Sequence, residues 1–316
     1  MYNPCIVYLI IPCYNEEAVL PETAKQLANK IEILRADKTI SEKSKIFFVD
    51  DGSKDTTWEI IKKYHVENPD LFGGIKLSKN CGHQNALLCG LISIGNKADA
   101  TITIDADLQD DINVIDKMIK SYYSGNEIVY GIRSDREKDS FFKKTTAQGF
   151  YRFMGFLGAE LVYNHADFRL MGKNALNALS EYQEVNLFLR GIVPMLGYKT
   201  DTVYYSRKER FAGTTKYPLR KMLKFAFEGI TSFSIKPIRI ITLMGISFFL
   251  ISMSMVIYFF VQHFSGATIP GWASIIVSIW GMSGLIIFTI GIVGEYIGKI
   301  YLETKRRPRF HIETIL

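Results

Sequence analysis

Asp105 and Asp107 flank Ala106 at the end of an apolar run, Ala100-Thr101-Ile102-Thr103-Ile104. Two carboxylates two residues apart, where a chain leaves a buried strand, can both meet one hard cation. Mg²⁺ favours one or two carboxylates together with phosphate oxygens of a substrate. For an isolated pair, a solvated acidic turn explains the residues equally well. Three further polar clusters change the balance: Pro12-Cys13-Tyr14-Asn15-Glu16, Asp50-Asp51-Gly52-Ser53 and Asn80-Cys81-Gly82-His83-Gln84-Asn85, with Leu108-Gln109-Asp110 continuing the acidic one. Asp, Asn and Ser are favoured at turns and helix N-caps for local reasons, which accounts for one such cluster more easily than for four.

Each cluster comes directly after a strand candidate. Ile6 to Ile11 is nearly all apolar, as a strand buried on both faces must be, and Pro12 ends it. Further strands are expected at 46–49, 74–77, 100–104 and 127–130, with helices near 17–35, 55–66, 84–96 and 112–124. This alternation predicts an α/β domain with a mostly parallel sheet, and such sheets bind ligands beyond the carboxyl ends of their strands. No G-x-G-x-x-G follows the first strand and no G-x-x-x-x-G-K-[ST] occurs anywhere. A dinucleotide site and a P-loop are therefore not expected, leaving carboxylates and a metal as the working parts of that edge.

The remainder of the chain has a different character. Of 316 residues, those from 240 to 294 include no Lys, Arg, Asp or Glu, whereas residues 1–206 carry a net charge of −3 and residues 207–316 a net charge of +9. Ile240 to Val261 and Trp272 to Gly294 are each long enough, at about 33 Å as helices, to cross a hydrocarbon core of about 30 Å. A short turn with Gly and Pro joins them. Lys and Arg flank the pair on both outer sides, which orients both flanks to the cytoplasm; a buried helical hairpin of a soluble protein is the alternative. The basic excess beside the spans suits anionic lipid headgroups, and no nucleic-acid motif accompanies it. Four cysteines without a C-x-x-C pair read as reduced thiols with no metal role. No signal peptide is visible at the N-terminus. The expected organisation is a cytosolic domain at 1–206, a basic amphipathic segment at 207–237, a two-helix transmembrane hairpin at 238–298 and a basic cytosolic tail at 299–316.

With these motifs in place, the chain resembles the GT-A fold glycosyltransferases of family 2, and within them the polyprenyl-phosphate glycosyltransferases, such as bactoprenol glucosyltransferases and dolichol-phosphate mannose synthase. Val49-Asp50-Asp51-Gly52-Ser53 with Asp55-Thr56-Thr57, the Asn80 to Ala86 cluster, Asp105 to Asp110, Asp167-Phe168-Arg169-Leu170 and Arg210 to Tyr217 match in order and spacing. The resemblance covers nearly the whole chain. It implies a GT-A domain, Rossmann-like with a mostly parallel sheet, followed by two transmembrane α-helices. It also implies residue roles. Pro12, Tyr14, Glu16, Val49 and Asp51 would hold the base and ribose of a nucleotide sugar. Asp105, Ala106 and Asp107 would meet its diphosphate, with Asp105, Asp107 and Gln109 around Mg²⁺ or Mn²⁺, and Arg133 would face the donor phosphates. Arg207, Arg210 and Lys216 would bind the acceptor phosphate, Arg210 and Lys216 also serving catalysis. Asp167 stands at the place of the family's proposed catalytic carboxylate; capping a turn before a helix is its bland alternative. Tyr217 to Ile235 suits a helix lying at the membrane interface, and Phe141 to Leu157 suits either a second surface helix or a core helix.

The implied reaction is inverting transfer of one hexose to undecaprenyl phosphate, for cell-envelope glycan modification, in a multi-pass protein of the bacterial inner membrane. UDP-glucose ranks ahead of UDP-N-acetylglucosamine and GDP-mannose as donor. A different lipid or glycan acceptor, and a non-catalytic membrane scaffold, are the rival readings. Relatives imply a homo-oligomer, a tetramer. The chain departs from the processive synthases of the fold, since Phe188-Leu189-Arg190-Gly191 stands where they carry Q-x-x-R-W. It also carries Asn164-His165-Ala166 before Asp167, where relatives often have Gly at the last place.

Overall fold

The structure, a computed structural model, describes residues 4–134, 165–185, 188–206, 236–264 and 271–316. The chain divides into two units, one of residues 1–151, 161–217 and 307–316, the other of residues 152–160 and 218–306.

The first unit is built on one eight-stranded sheet. Its strands are β1 (Val7–Cys13), β2 (Lys45–Asp50), β3 (Phe72–Leu77), β4 (Ala100–Thr103), β5 (Ile128–Arg133), β6 (His165–Gly172), β7 (Thr200–Tyr205) and β8 (Ile312–Ile315), in the order β7-β5-β6-β4-β1-β2-β3-β8. The pairs β1–β2, β1–β4, β2–β3 and β5–β7 are parallel, and β4–β6, β5–β6 and β3–β8 are antiparallel. The sheet is thus mostly parallel, as expected, with reversals on either side of β6.

Helices α1 (Leu20–Ala36), α2 (Thr57–Glu67), α3 (His83–Ile94) and α4 (Ile115–Tyr123) follow the first four strands in turn, and α5 (Lys173–Glu181) and α6 (Leu189–Met195) follow β6. Pro21 in the first turn of α1 suits a helix start, where its missing N–H is an orphan in any case. One face of the sheet packs Leu9, Ile11, Phe48, Ile102, Phe168 and Leu170 against Leu27 and Ile31 of α1 and Ile115, Met118 and Ile119 of α4. Burying each such side chain contributes about 1.5–3 kcal/mol. On the opposite face Gly90 of α3 lies against Ile10 and Val49, an approach that a larger residue would block. Every residue of β1 is consequently buried.

Three strands lie outside the sequence-based expectations. β6 carries Asp167, which sits in extended strand and not at a turn before a helix. β7 comes after α6. β8, from the stretch expected as a basic tail, pairs with the outer edge of β3, where Leu316 N–H donates to the Gly74 carbonyl at 2.8 Å and Lys76 meets Glu313 at 2.9 Å. It covers an edge that would otherwise expose unpaired backbone groups.

The second unit contains α7 (Lys236–Phe264, 29 residues) and α8 (Trp272–Lys305, 34 residues). Both run past the expected spans. Among the described residues one stretch, Gly281–Lys305, is long and apolar enough to cross a membrane. Tyr217 to Ile235 and Phe141 to Leu157 lie outside the described residues.

Candidate active site

The first three clusters are tied together by their own backbones. Ser53 Oγ accepts from Asn15 N–H at 3.0 Å, Asn15 Oδ1 accepts from Lys54 N–H at 2.9 Å, and Thr57 Oγ1 accepts from Glu16 N–H at 2.9 Å. Asp51 accepts from Cys81 N–H on Oδ1 at 2.7 Å and from Gly82 N–H on Oδ2 at 2.9 Å. Burial pushes the Asp51 carboxyl up while those two amides pull it back, with a net rise. Gly52, at φ +66°, is forced by the same junction: a Cβ there would lie 2.6 Å from the Lys79 carbonyl carbon. Pro12 and Val49 are buried, Glu16 is half-buried and Tyr14 is exposed at the rim.

The acidic cluster leaves β4. Asp107 Oδ1 accepts from Gln109 N–H at 3.2 Å, Leu108 adopts a left-handed conformation (φ +56°), and the Ala106 carbonyl is held by Thr23 Oγ1 at 2.7 Å. Burial raises the Asp105 carboxyl to about 6, opposed by His83 and reinforced by the charges of Asp167, Asp110 and Asp107. Arg133, the last residue of β5, is aimed by two partners: its Nε donates to Tyr205 Oη at 3.3 Å and its Nη2 to Asp110 Oδ1 at 3.4 Å, while Tyr205 Oη–H donates to that same oxygen at 2.6 Å.

Because β6 runs antiparallel to β4, its beginning lies at the edge where β4 ends. Thr103 pairs with Arg169, and Thr103 Oγ1 donates to the Asp167 carbonyl. Asp167 meets Arg169 Nη2 at 2.9 Å and both Nε and Nη2 of Arg190, at 3.2 and 3.0 Å. His83 Nε2 lies 3.5 Å from Asp167 and 3.6 Å from Asp105. Burial opposes charge on Asp167, but the His83 hydrogen bond and the guanidinium groups of Arg190 and Arg169 outweigh it and hold the carboxyl well below the usual range. The structure therefore brings Asp51, Asp105, Asp107, Arg133 and Asp167 to one edge. Arg207, Arg210 and Lys216 lie outside the described residues.

A model of glycosyl transferase family 2 matches residues 8–180, more than half of the chain. The chain belongs to glycosyl transferase family 2. A second model, the GtrB C-terminal hairpin, matches residues 236–300. The uncharacterized glycosyltransferase YkoT of Bacillus subtilis (strain 168) is 55% identical, over 98% of this chain and 91% of that protein. The bactoprenol glucosyl transferase of Shigella phage SfX is 37% identical, over 98% of this chain and 99% of that protein. Among solved structures, the mannosyl-3-phosphoglycerate synthase from Rubrobacter xylanophilus aligns at a TM-score of 0.47 and 13% identity, over 71% of either chain.

For a family 2 glycosyltransferase the edge is suitably charged. Among the described residues, no three His, Cys, Asp or Glu side chains form one metal-ligating group, yet a site of two carboxylates completed by substrate phosphates needs no third. The donor set fits such an ion. Burial first, then the charges of Asp167, Asp110 and Asp107, push Asp105 up, and a divalent cation would favour its ionised form.

Four residues of this charged edge escaped sequence reasoning as individuals: His83, Asp110, Arg190 and Tyr205. His83 and Asp110 stood inside recognised clusters. Tyr205 ends a strand that carries no apolar run of its own. Arg169 had a legible signal, because residues two apart on a strand share a face, so a strand through Asp167-Phe168-Arg169 places the two charges side by side.

Proposed function

We propose that this glycosyltransferase moves a single hexose from a nucleotide sugar, UDP-glucose first, to a polyprenyl phosphate, undecaprenyl phosphate first, with inversion at the anomeric carbon. The observation that carries the reading is one continuous chain in which a carboxylate-lined sheet edge is followed by a matched hairpin of two long apolar helices. Those helices, about 44 and 51 Å long at 1.5 Å per residue, exceed a bilayer core, and we read both as spans of a bacterial inner membrane with the catalytic unit on the cytoplasmic side. A lipid-linked acceptor is the substrate such a chain would meet. The full-length likeness to a protein named bactoprenol glucosyl transferase supports the same choice.

In the transfer, an acceptor phosphate oxygen forms a bond to the anomeric carbon as the bond from that carbon to the donor diphosphate breaks. The electron pair leaves on the diphosphate. Asp105 and Asp107 would hold Mg²⁺ or Mn²⁺ with Gln109 close by, and the ion supplies Lewis-acid stabilisation of the leaving charge. Arg133, aimed by Asp110 and Tyr205, adds a guanidinium to the same charge. Pro12, Tyr14, Glu16, Val49, Asp51 and Ala106 line the nucleotide side, and Arg207, Arg210 and Lys216 serve the acceptor phosphate. The acceptor requires no base: a phosphate monoester has a second pKa of about 6 and is mostly a dianion at pH 7.

The test is incubation of the purified protein in detergent with Mg²⁺, undecaprenyl phosphate and each of UDP-glucose, UDP-N-acetylglucosamine and GDP-mannose, followed by mass spectrometry of the lipid. The expected product is the lipid plus one hexose from UDP-glucose, absent with Asp107→Ala. Donor hydrolysis with no lipid product would overturn the acceptor assignment.

A further inference from the structure

Asp167 is met by donors on both of its carboxylate oxygens. Oδ1 takes Nη2 of Arg169 and Nε of Arg190; Oδ2 takes Nη2 of Arg190 and faces His83 Nε2. An ionised carboxylate offers about four lone-pair sites; the two guanidinium groups fill three of them and the His83 imidazole faces Oδ2 at 3.5 Å. The three side chains differ in what they have left to offer. Arg169 is 1% exposed, and its Nε and Nη1 have no hydrogen-bond partner. It serves Asp167 and nothing outside. Arg190 is 36% exposed and His83 45% exposed. Among the described residues, neither Nη1 of Arg190 nor Nδ1 of His83 has a hydrogen-bonding partner. Both are thus partly open to solvent while other atoms of theirs are fixed on Asp167.

Arg133 comes to the same edge from another side. Alternation along β6 puts Phe168 and Leu170 in the core on the α1 and α4 side, so Asp167 and Arg169 face the other way. Arg133 is held by Tyr205, which belongs to that same core. The two guanidinium groups thus reach one edge from opposite faces of the sheet. A sugar in transit has a phosphate on either side, the leaving diphosphate on one and the attacking monoester on the other.

We propose that Asp167 is a positioning residue that holds Arg190 and His83 as a clamp for the acceptor's phosphate monoester. Arg190 and His83 then touch the acceptor phosphate from the sheet edge, in addition to the Arg207, Arg210 and Lys216 already assigned to it, and Asp167 acts through them. This assignment rests on the proposed polyprenyl phosphate acceptor.

The experiment measures equilibrium binding of farnesyl phosphate, with farnesol and UDP as controls, to the full-length protein in detergent without donor. Wild type is expected to bind farnesyl phosphate well above farnesol. Arg190→Ala and His83→Ala should each weaken farnesyl phosphate at least about tenfold, the scale of a lost charge-assisted hydrogen bond, and Arg190→Ala, which leaves Asp105 without a changed contact, should keep UDP within about twofold. Asp167→Asn should weaken farnesyl phosphate as well, because the clamp loses its anchor, whereas loss of a proton acceptor would lower turnover and leave ground-state binding intact. Arg190→Lys, which keeps the charge and loses the fork, should recover part of the affinity. Should Asp167→Asn fail to fold with Arg169 left uncompensated, the more exposed Arg190 and His83 variants still decide the matter. Unchanged farnesyl phosphate affinity in both variants, or loss of UDP in its place, would overturn the clamp. Wild type binding farnesyl phosphate no better than farnesol would overturn the acceptor reading together with it.

Discussion

Tyr205→Phe isolates one hydroxyl whose two roles can be measured separately. Its hydrogen is donated to Asp110 Oδ1 at 2.6 Å, and its oxygen accepts from Arg133 Nε at 3.3 Å. Burial first, then the charge and hydrogen bond of Asp110, keep the phenol well above its ordinary pKa, so it remains a donor at any working pH. The substitution keeps the ring and its edge contact with Phe168, whose centroid lies 5.5 Å away. Only the polar link is removed. Asp110 is buried and its Oδ2 already lacks a hydrogen-bond partner, leaving Arg133 Nη2 at 3.4 Å as the residual contact of the carboxylate. Loss of a hydrogen bond to a charged group costs about 1.5–3 kcal/mol. For a unit of roughly 200 residues, that lowers the thermal midpoint by about 3–12 °C. Differential scanning fluorimetry on the protein in detergent reads the stability. Initial rates at varied donor and acceptor read the second role: with Arg133 no longer aimed, the donor KM should rise several-fold and the acceptor KM should not move. A midpoint within about 1 °C of wild type, the range of a neutral surface change, together with an unchanged donor KM, would refute the assignment.

Gly52→Ala should cost about 1–3 kcal/mol through its left-handed backbone, more with the 2.6 Å approach to Lys79, and UDP titration should show weakened binding because the second and third clusters must part. Asp105 gives a prediction with a defined sign. Its folded pKa is about 6, against an ordinary 3.8, so folding penalises the ionised form: the penalty is absent below about pH 4, grows toward pH 6 and is complete above it. Metal-free Asp105→Asn should therefore melt higher than wild type at pH 7.5 and no differently at pH 4, while losing transferase activity; a lower midpoint at pH 7.5 would contradict a buried, penalised Asp105 carboxylate.

Strand burial decides how much of the fold is legible in the sequence. β1, β2, β4 and β5 carry apolar runs because a strand in the middle of a largely parallel sheet is covered on both faces, and their ends located Asp51, Asp105, Asp107 and Arg133 correctly at one edge. β6 has no such run. His165-Ala166-Asp167-Phe168-Arg169 alternates polar and apolar, and a buried ion pair on one face of a strand imitates a polar loop. β8, four residues among basic ones, is defined by the edge of β3 that it covers, which lies more than 230 residues away in the chain. Arg190 carries no local signal beyond standing where a tryptophan motif is absent. Its pairing with Asp167 spans 23 residues, a separation that local patterning cannot bridge.

The reversal of β6 does more than complete the sheet. A parallel strand delivers to the ligand edge only the residues beyond its carboxyl end, and β1, β2 and β4 supply backbone amides, turns and carboxylates that way. An antiparallel strand brings its amino end to the same edge, with residues still inside the ladder. Asp167 is consequently fixed by strand pairing, by the Thr103 hydroxyl on its carbonyl and by two arginines on its side chain. Such rigidity suits an anchor for other charges and works against a group that must accept and release a proton in each cycle. The loop-borne Asp105 and Asp107 occupy the contrasting situation, on a turn with a left-handed residue at Leu108, where on the proposed reading they would meet the ion and the donor diphosphate. On that reading one edge combines a cationic side fixed by strand pairing, suited to a phosphate that must be aligned for attack, with a loop-borne anionic side that would meet the departing phosphates through a metal.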